Sequence, residues 1–148
     1  MGLQNEKEYL LLIDTVLPFA KLMLDRYGEF LPFGAAITAT GEIIHVGADT
    51  GEDTGESRPV LDLLIEGLRA KARSESYMAA AACVNVAAVD PRSGKKADAA
   101  QVIFEHCSGE ALDVFVPYRK KMFRGYEFEK PFAGPAEPRI FSKDQPTS

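Results

Sequence analysis

Apolar residues recur at spacings of three and four along the first part of the chain: Tyr9, Leu12, Ile13, Val16, Ala20, Met23, Leu24 and Tyr27. One face of an α-helix repeats at that interval, so residues 5 to 27 are predicted to form an amphipathic helix. Asn5 stands where a cap belongs, Glu6 and Glu8 complement the positive helix end, and Gly28 is a C-terminal stop. Pro18 interrupts the pattern. Its missing N–H and its ring are expected to kink the helix or split it in two. A second stripe, Leu61, Leu64, Ile65, Leu68 and Ala72, predicts a helix from about Arg58 to Ser74, with Pro59 in its first turn.

Between the helices, "FGAAITATGEIIHVGA" reads as a hairpin, with strands Ala35 to Ala39 and Glu42 to Val46 around a Thr40-Gly41 turn. After the second helix, "AACVNVAAVD", "AQVIFEHCS" and "ALDVFVPYR" read as strands, separated by "DPRSGKKAD" and by Ser108-Gly109. In the middle one of these, Val102, Phe104 and His106 share one side, and Gln101, Ile103, Glu105 and Cys107 the other. Both sides carry apolar groups, so this strand is expected to be central. Pro131, Pro135 and Pro138 prevent long ladders in "RKKMFRGYEFEKPFAGPAEPRIF". That segment is expected to add an edge strand around Tyr126 to Lys130 and then wrap the sheet. "SKDQPTS" reads as a disordered tail.

The expected fold class is α+β: one domain over residues 1 to 141, followed by a tail from 142 to 148. Its element order is α-β-β-α-β-β-β, around an antiparallel sheet of about five strands. Each helix has one apolar face, and both are expected to cover a single face of that sheet. The order of elements resembles the profilin-like and roadblock-like architecture over roughly residues 5 to 118. That resemblance implies dimerisation and a scaffold role and carries over no functional residue. The extended C-terminal segment departs from it, since a roadblock protein would end in a helix.

At 148 residues the chain has the length of one domain, and 46% hydrophobic with 26% charged residues is ordinary for a globular protein. The net charge of −5 argues against a general nucleic-acid binder, which carries a basic face. "MGLQNEKEYLLLIDTV" lacks the basic start and longer apolar core of a secretory signal, and no run approaches a membrane span. A cytoplasmic address with no membrane partner is expected, and there Cys83 and Cys107 would stay reduced.

Several stretches invite chemistry. "HVGADTGEDTGESRPVLDLL" places Asp49, Glu52, Asp53 and Glu56 within eight residues. Calcium favours such oxygens, but an EF-hand spacing from Asp49 fails at its third, sixth and twelfth positions, where Gly51, Thr54 and Val60 stand. The plainer reading is a solvated loop leading to a helix capped by Ser57. "PRSGKKAD" lacks the first Gly of a phosphate loop, since Val89 takes that place, and Lys96 stands where Ser or Thr belongs. His106 and Cys107 are adjacent, so in a strand they point to opposite faces and do not readily chelate one ion; His45 and Cys83 are isolated. No cofactor is expected. "YRKKMFRGY" sets Arg119, Lys120, Lys121 and Arg124 among Tyr118, Met122, Phe123 and Tyr126. Such a mixture suits RNA or an acidic protein surface. In an acidic chain it reads first as a strand end with wet charges and with Phe123 and Tyr126 packed beneath them.

Two function classes remain. The first is a non-enzymatic protein–protein interaction or regulatory module, homodimeric, with an immunity-type protein acting through its acidic loop as one version. Its expected interface is an exposed apolar sheet face or edge, with Ala79 to Ala82, Ala87, Ala88, Ala99 and Ala100 allowing close approach. The alternative is a small-molecule-binding domain or hydrolase-like enzyme, for which His45, Cys83 and His106 are the candidate residues. A closed pocket holding a His–Cys or His–carboxylate pair would favour the second class.

Overall fold

The computed structural model describes residues 4 to 47 and 57 to 141. Helix α1 (Glu6–Tyr27) leads into the hairpin β1 (Phe33–Ile37) and β2 (Ile43–Gly47). Helix α2 (Ser57–Glu75) follows, then three long strands, β3 (Ala79–Val89), β4 (Lys96–His106) and β5 (Ala111–Lys120). Two short strands, β6 (Tyr126–Phe128) and β7 (Phe132–Pro135), complete the sheet. All pairs are antiparallel, in the order β2-β1-β3-β4-β5-β6, with β7 also on β5. The protein is a single α+β domain, and the expected order of elements holds. The tail from 142 to 148 lies outside the described residues.

Helix α1 runs unbroken through Pro18. Pro18 and Asp14 are both exposed, so water can satisfy the carbonyl that lacks its N–H partner. Leu12, Val16, Ala20 and Leu24 are the fully buried stripe, and Gly28 closes the helix in the left-handed region at φ 76°. Tyr27, placed on that stripe from its spacing, is 66% exposed instead.

The two helices do not share a face. Leu12, Val16, Ala20 and Leu24 of α1 pack with Ala35, Ala79, Ala81, Cys83, Val102, Phe104 and Val114. Leu64, Ile65, Leu68 and Ala72 of α2 pack with Ala36, Ala80, Ala82 and Ile103. Successive side chains along a strand point to opposite faces, so these two sets are the two sides of one sheet. The architecture is helix, sheet, helix. Buried residues at every position from Ala79 to Val84 demand cover on both sides.

The alanine run therefore has an internal role. Ala79 to Ala82, Ala99 and Ala100 are all buried, and do not form an open sheet face for a partner. Ala87 is exposed and Ala88 half-buried, at the far end of β3. Small side chains let helices approach one strand from both sides. Gly34 carries this furthest: a Cβ there would sit 2.7 Å from the Ala81 carbonyl oxygen, under the Leu64 and Leu68 methyls at 3.6 and 3.5 Å. Gly34→Val is expected to lose about 1–3 kcal/mol through overpacking, read as a lower urea midpoint.

The C-terminal segment adds the expected edge strand and more. Between the pairs Tyr118↔Phe128 and Phe115↔Phe132, the outer chain advances four residues while β5 advances three. One extra residue is a β-bulge, placed where Pro131 withholds its N–H. β6 and β7 are thus one edge strand with a bend. Beyond β7 the chain crosses the α2 face of the sheet as a strap. Glu105, 1% exposed, accepts the backbone N–H groups of Arg139 at 2.8 Å, Ile140 at 2.7 Å and Phe141 at 3.0 Å. Arg69 Nε donates to the Arg139 carbonyl at 2.7 Å, tying the strap to α2.

Candidate interaction surface and polar clusters

The residues singled out for chemistry do not converge. His45 is exposed on β2, with its ring 6.3 Å from Phe19. Cys83 is wholly buried, and burial pushes its thiol pKa far up, so it serves as a small apolar core group. Cys107 is exposed. Asp49, Glu52, Asp53 and Glu56 lie outside the described residues. Among the described residues, no group of three His, Cys, Asp or Glu is placed to hold a metal ion. Nor is any helix among them long and apolar enough to cross a membrane.

His106 has polar company at the end of β4. Its Nδ1 accepts the Ser108 backbone N–H at 3.0 Å and lies 3.0 Å from the Ser108 hydroxyl. Nε2 lies 3.8 Å from Glu8 Oε1, beyond hydrogen-bond length. The order serine, histidine, carboxylate is that of a nucleophile relay. Here, however, a backbone N–H already occupies the Nδ1 lone pair, and Ser108 Oγ is engaged by Asn5 Nδ2 at 3.1 Å. Among the described residues, open grooves of about 400 to 470 Å³ lie along α2 and at the β5–β6 tip, and these are not lined by His45, Cys83 or His106.

The same cluster caps α1 from a distance. Glu110, in the turn before β5, accepts the Gln4 and Asn5 N–H groups at 2.9 and 3.0 Å and Asn5 Nδ2 at 2.9 Å. Asn5 itself makes no side-chain cap bond; Glu110 instead binds the backbone N–H groups of Gln4 and Asn5, at and just before the helix start. Burial works to raise the Glu110 pKa, but the hydrogen bonds from Asn5 and Gln4 outweigh it and hold the carboxyl below its ordinary 4.5. A folded-state pKa below the unfolded one stabilises above the unfolded value, and that stability is lost as pH falls through the folded value. Glu110→Gln is expected to cost about 1 kcal/mol near pH 7. In urea titrations the difference from the parent should hold above the carboxyl's ordinary 4.5 and close as the pH falls below that through the folded-state value.

The basic cluster differs from its expected form. β5 and β6 pair as far as Lys120↔Tyr126, and the Lys121 N–H bonds the Gly125 carbonyl at 2.9 Å. A three-residue tip remains, with Gly125 at φ 83° turning the chain back. Met122 and Phe123 at that tip are 89% and 93% exposed. Tyr126 does pack inward, edge-on to Tyr118 at 5.7 Å, but Phe123 packs beneath nothing. Arg119 is turned back onto Glu127 and Glu129, both at 3.1 Å, while Lys120, Lys121 and Arg124 stay exposed. Asp25 of α1 pins the tip by accepting the Tyr126 N–H at 2.8 Å. Hydrogen bonds from Lys21 and from that N–H hold the Asp25 carboxyl below its ordinary range.

A second apolar feature lies on the outside of α1, where Leu10, Leu11, Phe19 and Leu22 are exposed. The fold and these surfaces define an α+β domain with one antiparallel sheet between helices. Comparison with known protein families, with curated proteins and with solved structures finds no match to this chain.

Proposed function

We propose that this chain is a non-enzymatic protein–protein interaction or regulatory module that works as a homodimer. One observation carries the reading: most of the large apolar side chains left exposed among the described residues lie on α1 and on the adjoining β5–β6 tip. Single exposed apolar residues are ordinary, but aligned ones mark contact surfaces. The backbone of the tip is closed by the Lys121–Gly125 bond and held by Asp25, which fixes the place from which its two apolar side chains project. The immunity-type version rests on the acidic loop, which lies outside the described residues. Light scattering during gel filtration tests the reading. A dimer mass at tens of micromolar is expected, and a strict monomer there would overturn it.

A hydrolase reading would need Ser108, His106 and Glu8 to rearrange, since Nδ1 now accepts a backbone N–H and Glu8 stands 3.8 Å from Nε2. Labelling of Ser108 by a serine-reactive fluorophosphonate would displace the first reading.

A further inference from the structure

The outer row on α1 has the spacing of a helix–helix seam. Leu11, Thr15, Pro18 and Leu22 follow one another at intervals of four, three and four, the repeat that keeps one line of side chains against a second helix. Leu11 and Leu22 are 38% and 43% exposed. Thr15 gives its hydroxyl to the Leu11 carbonyl at 2.7 Å, which satisfies its polar group within the helix. Asp14 and Lys21 flank this row, one heptad apart and opposite in charge; Lys21 also holds Asp25 at 2.7 Å, and Asp25 in turn accepts the Tyr126 N–H of β6, which puts this flank on the β6 side. The β5–β6 tip is rooted at Asp25, on that same side and at the C-terminal end of the helix.

We propose that two copies of the chain meet through this face, with α1 lying antiparallel to α1 of the second copy about a two-fold axis between Thr15 and Pro18. In that register Leu11 faces Leu22 of the second copy and Thr15 faces Pro18. Asp14 comes beside Lys21 of the second copy, and the symmetry repeats the pair. A two-fold axis perpendicular to both helices keeps the β6 sides together. Each tip therefore reaches the first turns of the opposite helix, where Leu10 is exposed and Glu6 offers charge opposite to Lys120, Lys121 and Arg124. A parallel pairing would instead set Lys21 beside Arg26 of the second copy and put both basic tips at one end of the pair, on opposite sides of the seam and away from the acidic first turns. One isologous contact thus covers both apolar features. The inference rests on the homodimer reading and adds its surface and polarity.

Sedimentation equilibrium on the full chain tests it, with circular dichroism to confirm that each variant is folded. Leu11→Glu with Leu22→Glu is expected to weaken the dimer at least about a hundredfold, and Phe123→Ser several-fold. Asp14→Lys or Lys21→Glu alone should weaken it roughly tenfold, and the two together should restore it to within about threefold. Leu63→Glu, on the exposed side of α2, should change nothing. A dimer indifferent to Leu11→Glu and Leu22→Glu would overturn this surface and leave the homodimer standing. Failure of the charge swap to rescue would overturn the antiparallel register. A parent chain monomeric at about 100 µM would remove both the surface and the reading beneath it.

Discussion

Replacing Glu105 by Ala is expected to cost about 3–5 kcal/mol and to release the C-terminal strap. The carboxylate is buried and accepts three backbone N–H groups, and the Ile140 N–H among them is itself buried. Ala would leave those donors without a partner, in surroundings where water cannot replace the bond. The cheaper outcome is for the strap to lift, exposing the Ile140 side chain that is now packed against the α2 face. Urea unfolding would read the lost stability, and limited proteolysis would read new cleavage after β7. Glu105→Gln separates charge from shape. Its amide oxygen can still accept from Ile140 and Phe141, as Oε1 does, but its NH₂ would confront the Arg139 N–H. A smaller loss of about 1–3 kcal/mol is expected. Equal stability of all three forms would show that the strap is not held by this residue.

Phe104→Ala is the second large effect, at about 3–5 kcal/mol. Phe104 is fully buried on the α1 side, opposite Ala81 on β3 and Leu112 on β5. Its ring meets Tyr9 of α1 edge to face, with centroids 5.4 Å apart. The small Ala81 beside it makes room for the ring and is too short to fill the hole it would leave. With total stability near 5–15 kcal/mol for a domain of this kind, the loss would be a large share of it. Thermal unfolding should show it as a lower Tm. A change under about 1 kcal/mol would mean that the core collapses into the gap far better than close packing allows.

The surface was only half legible in the chain. The cations of "YRKKMFRGY" are plain in the sequence, and so is Gly125, which ends the tip. The direction of Phe123 is not: in a closed hairpin it depends on where pairing stops, and that is set by the Lys121–Gly125 bond and by Asp25, about a hundred residues away in the chain. The outer row on α1 had a readable sign. Leu10, Leu11 and Leu22 fall outside the inward stripe, at positions a solitary helix would fill with polar groups. The roles of Glu105 and Glu110 had none. Each satisfies backbone groups far away in sequence, and nothing in a lone glutamate tells which N–H it will meet.

What the residues determine by themselves is local and periodic. The three-and-four spacing of α1, the Gly41 and Gly109 turns, and the two-sided burial of β4 follow from backbone geometry and from the cost of leaving apolar surface in water. Tertiary structure alone decided that α1 and α2 would take opposite sides of the sheet. An apolar stripe states that a helix must be covered, and either face of β3 offers the same alanine surface to cover it. That choice is made by the connections and by what else competes for each face. Here the strap and Glu105 occupy the rest of the α2 side, and the β5–β6 tip is pinned against the end of α1.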